Sequence, residues 1–368
     1  MTRRRCRQIM VGALPVGGDA PIPVQSMLNV PTRDVDAAAA QLELLRQAGA
    51  GIVRLAVDGE ADVAALRELV KLTPLPLVAD IQFDRASALG AIRAGVAAVR
   101  VNPGLFPAAG PEFSALAAAL IEHGTAIRVG ANSGSIGEAA VREACRRGLD
   151  RDAALAQVLA EKTLRQCEAL EKHGVYHIKA ALKASSVAVT VAANRFFAAR
   201  SELPLHIGVT EAGTSYRGTI KSACGIGALL LDGIGDTIRV SLTGAPEQEV
   251  RAGIAILEVC GRRDAAPEIV SCPTCGRTAV DLEALVGRVE TLIARLKGAG
   301  AVLPYRKIAV MGCPVNGPGE ARDADLGIAG TRTGELLFFR RGEALGVFSA
   351  EAAMSQLEKL LASPPSEG

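Results

Sequence analysis

The sequence has no tryptophan, only three tyrosines and four histidines, and almost no net charge: 41 basic residues stand against 39 acidic ones. Without aromatic platforms for bases or a basic field to meet a phosphate backbone, nucleic acid is not an expected partner. No apolar run is long enough to cross a bilayer; uncharged windows such as Ser222 to Leu231 fall far short. The start Met1-Thr-Arg-Arg-Arg5 and the apolar run Ile9 to Val16 faintly imitate an export signal. Gly12 and Pro15 interrupt that run, however, and no small-residue cleavage pattern follows. A β-hairpin turning at Gly17-Gly18-Asp19 is the better reading, and a cytoplasmic location follows by elimination. With eight cysteines dispersed through 368 residues, a disulfide framework is not expected either.

What is present is a repeating pattern. Eight short β-rich runs begin near Ile22, Ile52, Leu75, Ala97, Ala126, Tyr176, Leu205 and Thr237, and Ala/Leu-rich amphipathic stretches separate them. Such alternation implies parallel strands joined by helical crossovers, and eight units suit a closed (β/α)8 barrel of the TIM type better than an open sheet. A dinucleotide-binding fingerprint is missing: Gly225-Ile-Gly227 follows no strand and lacks the third glycine, so it reads as close helix packing. The pattern changes after Arg262-Arg263-Asp264-Ala-Ala-Pro267, a polar linker. Residues 1–262 are therefore assigned to the barrel and 263–368 to a small α+β domain. Within that domain the stripe Leu282, Leu285, Val286, Val289, Leu292, Ile293 and Leu296 has helical spacing, and Arg341-Gly342 marks a hairpin.

Three cysteines of the second domain carry chemistry. Cys272-Pro-Thr-Cys275 is a CxxC knuckle, and Cys313-Pro314 follows it at the end of another strand. A right-handed β-α-β crossover brings the carboxyl ends of both strands to one sheet edge, where the three thiols can converge. The loop through Asn316-Gly317-Pro-Gly319 bends sharply enough to return Glu320 toward the same point. Three thiolates and one carboxylate suit an iron–sulfur cluster with one less tightly held iron. Structural zinc is the alternative, but no histidine follows His206 to close a tetrahedral site. Cys6, Cys145, Cys167, Cys224 and Cys260 have no partner at ligand spacing and read as ordinary, mostly buried thiols.

Barrel enzymes of this kind keep their sites at the carboxyl ends of the strands. Those ends carry Arg54, Asp80 with Gln82, Arg100, Arg128 with Asn132, Lys179 and Lys183, Glu211, and Arg239 with Ser241. Cations set in apolar strands are expensive unless compensated, and only Asp80 and Glu211 are evident acids among them. The excess points to an anionic ligand, with forked arginines favouring phosphate or diphosphate. A set of structural ion pairs closing the barrel is the plainer alternative.

The segments Val24-Gln-Ser-Met27, Val78-Ala-Asp-Ile81, Arg100-Val-Asn-Pro-Gly104, Arg128-Val-Gly-Ala-Asn132, Ile207-Gly-Val-Thr-Glu-Ala-Gly213 and Gly233-Ile-Gly-Asp-Thr-Ile-Arg-Val-Ser-Leu242 form one recognisable set. Cys272-Pro-Thr-Cys-Gly-Arg277 and Gly312-Cys-Pro-Val-Asn-Gly-Pro-Gly-Glu320 form the other. Together they resemble the bacterial two-domain 4-hydroxy-3-methylbut-2-enyl diphosphate synthase family over nearly the whole chain. The resemblance implies an iron–sulfur oxidoreductase of isoprenoid biosynthesis. It would open 2-C-methyl-D-erythritol 2,4-cyclodiphosphate reductively and remove a hydroxyl, with two electrons from flavodoxin or ferredoxin. It further implies a [4Fe-4S] cluster on Cys272, Cys275, Cys313 and Glu320, and a diphosphate gripped by Arg54, Arg100, Arg128, Lys183 and Arg239 with Asn132 and Ser241. Glu211 would be the acid/base group, Asp80 would orient its neighbours, and two chains would form a head-to-tail homodimer. Three positions depart from the family pattern: Gln82 replaces a usual histidine, Leu28 and Val30 replace two threonines, and Ser133 replaces a common alanine.

Overall fold

In the computed structural model, residues 2–82, 84–101, 110–132, 136–263, 267–315 and 321–362 are described, apart from the side chains of 131 and 132. The chain divides into two units, Met1–Arg263 and Asp264–Gly368.

The first unit opens with an antiparallel hairpin, β1 (Ile9–Val11) and β2 (Leu14–Val16). Eight parallel strands follow: β3 (Gln25–Met27), β4 (Ile52–Ala56), β5 (Leu77–Ile81), β6 (Ala98–Val101), β7 (Ala126–Asn132), β8 (Ile178–Lys183), β9 (His206–Ile207) and β10 (Thr237–Ile238). The crossovers are α1 (Val35–Gln47), α2 (Glu60–Leu72), α3 (Arg85–Arg93), α4 (Pro111–His123), the pair α5 (Glu138–Arg146) and α6 (Arg151–Lys172), α7 (Val187–Ala198) and α8 (Ser215–Leu231); α9 (Pro246–Val259) follows β10. Strands β3 to β8 pair in chain order and β9 pairs β10. Parallel bridges Ala180–Leu205 and Val24–Ile238 join the two sheets at both seams, so the ring is closed as the eight-fold alternation predicts.

Alternation along each strand divides the barrel into two environments. Val53, Leu55, Ala79, Ile81, Val99, Val101, Ile127 and Val129 face outward into one core with the buried stripes of the helices, such as Leu42 and Leu45 of α1. Ile52, Val78, Ala98 and Ala126 face inward near the amino ends of their strands, where Ile9, Val11 and Val16 of the hairpin pack against them. The hairpin is thus an apolar floor. It turns at Gly12-Ala13, with Gly12 at φ 60°, rather than at Gly17-Gly18-Asp19. The reason is register: Val11 pairs Leu14, which leaves a two-residue connection whose first position must be left-handed. Asp34, Asp84, Asp150 and Ser186 accept backbone N–H groups at the starts of α1, α3, α6 and α7. Such caps are worth about 1 kcal/mol each. A Cβ at Gly225 would lie 2.7 Å from Val209 Cγ2, so this glycine lets α8 approach the barrel, as expected of Gly225-Ile-Gly227.

The second unit has a five-stranded sheet in the order β11 (Glu268–Ser271), β12 (Lys307–Met311), β13 (Leu326–Gly330), β14 (Leu336–Arg340), β15 (Glu343–Phe348). Helices α10 (Leu282–Gly298) and α11 (Ala350–Ala362) supply Leu285, Val289, Leu292, Ile293, Leu357 and Leu361 to its core, against Ile308, Ile328 and Phe338. The stripe read from the sequence is the buried face of α10. β14 and β15 join through Arg341-Gly342, both at positive φ, as a two-residue hairpin of this twist requires. Cys6 and Cys167 are buried and Cys145 and Cys260 partly so, but Cys224 is exposed on α8.

Candidate functional site

The β-ladder itself assembles the cationic site. Asp80, Arg100, Arg128 and Lys179 are direct register partners across β5, β6, β7 and β8. Partners in register point to the same face, and here that face is the barrel interior. Like charges side by side on a sheet are destabilising, so a row running acid, base, base, base is not what stability alone selects. Arg54 from β4, Lys183 from the end of β8, and Arg239 and Ser241 just beyond β10 complete the ring. With Asp80, Gln82, Arg100, Arg128, Gly130, Ala181 and Thr210 they line one cavity of about 180 Å³. Eight of the residues picked from the sequence thus meet in one place: Arg54, Asp80, Gln82, Arg100, Arg128, Lys183, Arg239 and Ser241.

Compensation within the cavity is incomplete. Asp80 lies 2.9 Å from Arg100 and 3.4 Å from Arg54, and Gln82 Nε2 donates to it at 3.2 Å. Burial alone would raise the Asp80 carboxyl, but Arg54, Arg100 and Arg128 together hold it below the usual carboxylate range. Glu249, reaching in from α9, sits 3.6 Å from Arg239; it accepts from Ser26 Oγ at 3.3 Å and from the Leu242 N–H at 3.0 Å. Arg54, Arg100, Arg128, Lys179, Lys183 and Arg239 therefore face two carboxylates. Burial, reinforced by neighbouring cations, pushes Arg54 down to about 9 despite Asp80, and Lys183 and Arg128 well down. The Nζ of Lys179, fully buried beneath Arg128, has no hydrogen-bond partner, and neither has Arg128 Nε. The chemistry of such a cavity suits a polyanion: forked guanidiniums match phosphate oxygens, and each negative charge brought in would relieve repulsion already present. Structural ion pairing accounts for Asp80 and Glu249 but leaves most of the cations uncompensated.

The other predicted residues stand apart. Glu211 is exposed, at φ 51°, and does not line the cavity. Asn132 closes β7, and nothing of its side chain is described; Ser133 lies outside the described residues. Leu28 is buried and Val30 packs against the barrel core, as apolar substitutes for hydroxyl residues can. Glu249, Lys179 and His206 are the members of the site that the sequence reading passed over or left without a role. The signal for Glu249 was there: it shares the buried stripe of α9 with Pro246, Val250 and Gly253, a position where a lone carboxylate needs a partner.

In the second unit the strand ends meet as the crossover argument requires. Ser271 pairs with Val310 in the parallel β11–β12 ladder, so Cys272 and Cys313 leave the same sheet edge. Gly312 N donates to Cys272 Sγ at 3.3 Å, and Cys275 N donates to Thr278 Oγ1 at 3.1 Å. The Arg277 backbone N–H holds the exposed Cys275 thiol below its ordinary range. Cys313 is buried and Glu320 lies outside the described residues. Among the described residues no three Cys, His, Asp or Glu groups gather closely enough to hold one ion. A single zinc needs every donor within about 2.3 Å of one point, whereas an iron–sulfur cluster offers a separate iron to each thiolate. Three soft thiols on one edge, two with N–H donors near sulfur, fit the cluster.

Fold and site together define a (β/α)8 barrel with a cation-lined interior cavity, followed in the chain by a cysteine-bearing α+β module. Residues 6–254 match the family model described as the GcpE TIM-barrel domain, and residues 268–363 match the GcpE protein C-terminal domain. The chain belongs to the GcpE family. It is 46% identical to the 4-hydroxy-3-methylbut-2-en-1-yl diphosphate synthase (flavodoxin) of Geobacter sulfurreducens, over 98% of this chain and 99% of that one. It is 42% identical to the protein of the same name from Clostridium perfringens, again over 98% and 99%. Among solved structures, dihydropteroate synthase from Stenotrophomonas maltophilia superposes with a TM-score of 0.51 at 17% identity, over 71% of this chain and 99% of that one. That likeness is one of barrel fold alone.

Proposed function

We propose that this chain is a 4-hydroxy-3-methylbut-2-enyl diphosphate synthase of the iron–sulfur oxidoreductase class. It converts 2-C-methyl-D-erythritol 2,4-cyclodiphosphate to 4-hydroxy-3-methylbut-2-enyl diphosphate with two electrons from a donor such as flavodoxin; the product and the donor are those in its relatives' names. The observation that carries this reading is the row Asp80–Arg100–Arg128–Lys179, three cations and one acid in register inside a barrel of the matched family.

The reaction breaks two carbon–oxygen bonds. One joins the ring carbon to a phosphate oxygen; the other holds the hydroxyl that departs as water. Two electrons enter, a carbon–carbon double bond forms, and a proton completes the water. Each phosphate of the cyclic substrate carries one ionised oxygen, and ring opening adds a third negative charge on the released oxygen. Arg54, Arg100, Arg128, Lys183 and Arg239, with Asn132 and Ser241, form the proposed diphosphate grip. Because these cations are fixed in the sheet before the anion arrives, they favour the state with more negative charge, and so the transition state over the substrate. Asp80 keeps Arg54 and Arg100 aimed into the cavity. Glu211 is the proposed proton donor, carried on the exposed loop after β9.

Cys272, Cys275, Cys313 and Glu320 are the residues that would hold a [4Fe-4S] cluster. When bound, that group would supply single electrons at low potential. The protein would act in the cytoplasm as a head-to-tail homodimer. No helix among the described residues is long and apolar enough to cross a membrane.

The test is metal and acid-labile sulfide content of protein purified without oxygen, followed by turnover of the cyclic diphosphate with reduced flavodoxin. About four irons and four sulfides per chain, with product formed, are expected. About one zinc and no sulfide after attempted reconstitution, or no turnover by a fully loaded protein, would overturn the assignment.

A further inference from the structure

His206 is a buried titratable group of the barrel that the grip itself does not use. It is fully buried on β9 and paired in register with Thr237 of β10. Its Nδ1 lies 2.7 Å from Thr237 Oγ1 and its Nε2 lies 3.1 Å from Lys183 Nζ. On the other side of that amine stands Gly208: a Cβ there would come within 2.8 Å of Lys183 Nζ and 2.3 Å of the Arg239 carbonyl oxygen. The lysine head is thus held between an imidazole and a bare stretch of backbone, at the wall of the anion cavity.

We infer that His206 is a positioning residue for the reaction: as a neutral imidazole fixed by Thr237, it seats the Lys183 ammonium against the diphosphate. This rests on the diphosphate-grip reading given above. The chemistry fixes the roles of the two ring nitrogens. With the diphosphate bound to offset the cations that push Lys183 down, its amine is an ammonium, which donates only, so Nε2 must accept, and the ring proton sits on Nδ1 and is donated to Thr237 Oγ1. Burial, with Lys183, Arg128, Lys179 and Arg54 around the ring, keeps the imidazole from taking a second proton. A charged imidazolium would turn Nε2 into a donor and drive the lysine off. Lys183 is the grip residue most in need of such a seat. It is a flexible chain among Arg54, Arg128 and Arg239, with Glu249 a carboxylate acting on it. Unseated, the ammonium would retreat from its fellow cations; seated, two of its three N–H groups stay free for phosphate oxygens. That arrangement deepens affinity without adding a further charge to an already crowded cavity.

The experiment is a double-mutant cycle read by calorimetry, titrating the cyclic diphosphate into anaerobically purified full-length protein. His206→Phe is expected to weaken binding about tenfold in the wild-type background and less than about twofold in a Lys183→Met background. Equal losses in both backgrounds would show that His206 merely fills space, and would overturn the inference. Thr237→Val supplies a variant of almost unchanged shape. Several-fold weaker binding, restored by Thr237→Ser, is expected; binding equal to wild type in Thr237→Val would refute the role of the Nδ1 partner. The same cycle run with inorganic pyrophosphate separates the two levels of the argument. Wild-type protein that binds pyrophosphate but not the cyclic diphosphate would sink the substrate assignment while leaving the Lys183 seat open to a positive result.

Discussion

Replacing Lys179 with methionine should make the protein more stable at neutral pH. Its amine is fully buried, has no hydrogen-bond partner and lies beside Arg128 in the ladder. Burial pushes it from 10.5 down to about 7, and Arg128 adds to that. Between about pH 7 and 10.5 the unfolded chain therefore holds a proton that the folded chain lacks. Stability attributable to this group rises with pH across that window, and the full penalty applies below about 7. At 1.36 kcal/mol per pKa unit, the lysine costs the fold about 4 kcal/mol at pH 7 and about 2 kcal/mol at pH 9. Methionine matches the aliphatic stem and carries no charge, so it escapes both. Urea titrations followed by far-UV circular dichroism should place Lys179→Met above wild type by several kcal/mol at pH 7. That gap should narrow by about 2 kcal/mol at pH 9. A gap that does not change with pH, or a variant less stable than wild type at pH 7, would refute the picture of an uncompensated buried amine.

Asp80→Asn removes the one carboxylate close to both Arg54 and Arg100, and breaking a buried pair of this kind costs about 3–5 kcal/mol. The melting temperature should fall, and millimolar pyrophosphate should recover more of it than it adds to wild type in a thermal-shift assay. Gln82→His places a titratable ring where Gln82 Nε2 now lies 3.2 Å from Asp80, so turnover should acquire a different pH dependence. Superimposable profiles would remove position 82 from the chemistry. A Cβ at Gly312 would lie 2.8 Å from Thr278 Cγ2, beside the hydroxyl that receives the Cys275 N–H. Gly312→Ala should therefore lower iron per chain by half or more, measured by metal analysis, while pyrophosphate binding survives.

Much of this architecture is legible in the sequence because barrel strands carry two independent signals. Their outward faces must be aliphatic to meet helices, and that alternation exposes the eight units. Their inward faces end in cations, and a guanidinium in an apolar strand is too costly to be accidental. Other parts are hidden for equally physical reasons. Strand β13, Leu-Gly-Ile-Ala-Gly, has two glycines and weak intrinsic preference for a sheet. It holds because the Phe339 ring of β14 covers Gly327, its register partner, so closely that a Cβ there would overlap the ring. Glu249 stands out locally only as a carboxylate on the buried stripe of α9; that its partner is Arg239 emerges only once α9 is wrapped against the barrel. The second helix of the β7–β8 crossover, α6, lengthens one repeat without altering the ring. His206 and Lys183 lie 23 residues apart on successive strands, and only the ladder brings them within a hydrogen bond.

The apolar floor laid by the first hairpin has a kinetic consequence. Ile9, Val11 and Val16 seal the amino end of the barrel against Ile52, Val78, Ala98 and Ala126, which makes the cavity a cul-de-sac. Whatever is consumed and whatever is made must pass through the same doorway, and in the proposed reaction both carry a diphosphate gripped by the same cations. Departure of one molecule is then a precondition for arrival of the next. Product inhibition should be purely competitive against the cyclic diphosphate, and the strength of the grip sets a ceiling on turnover as well as a floor under affinity.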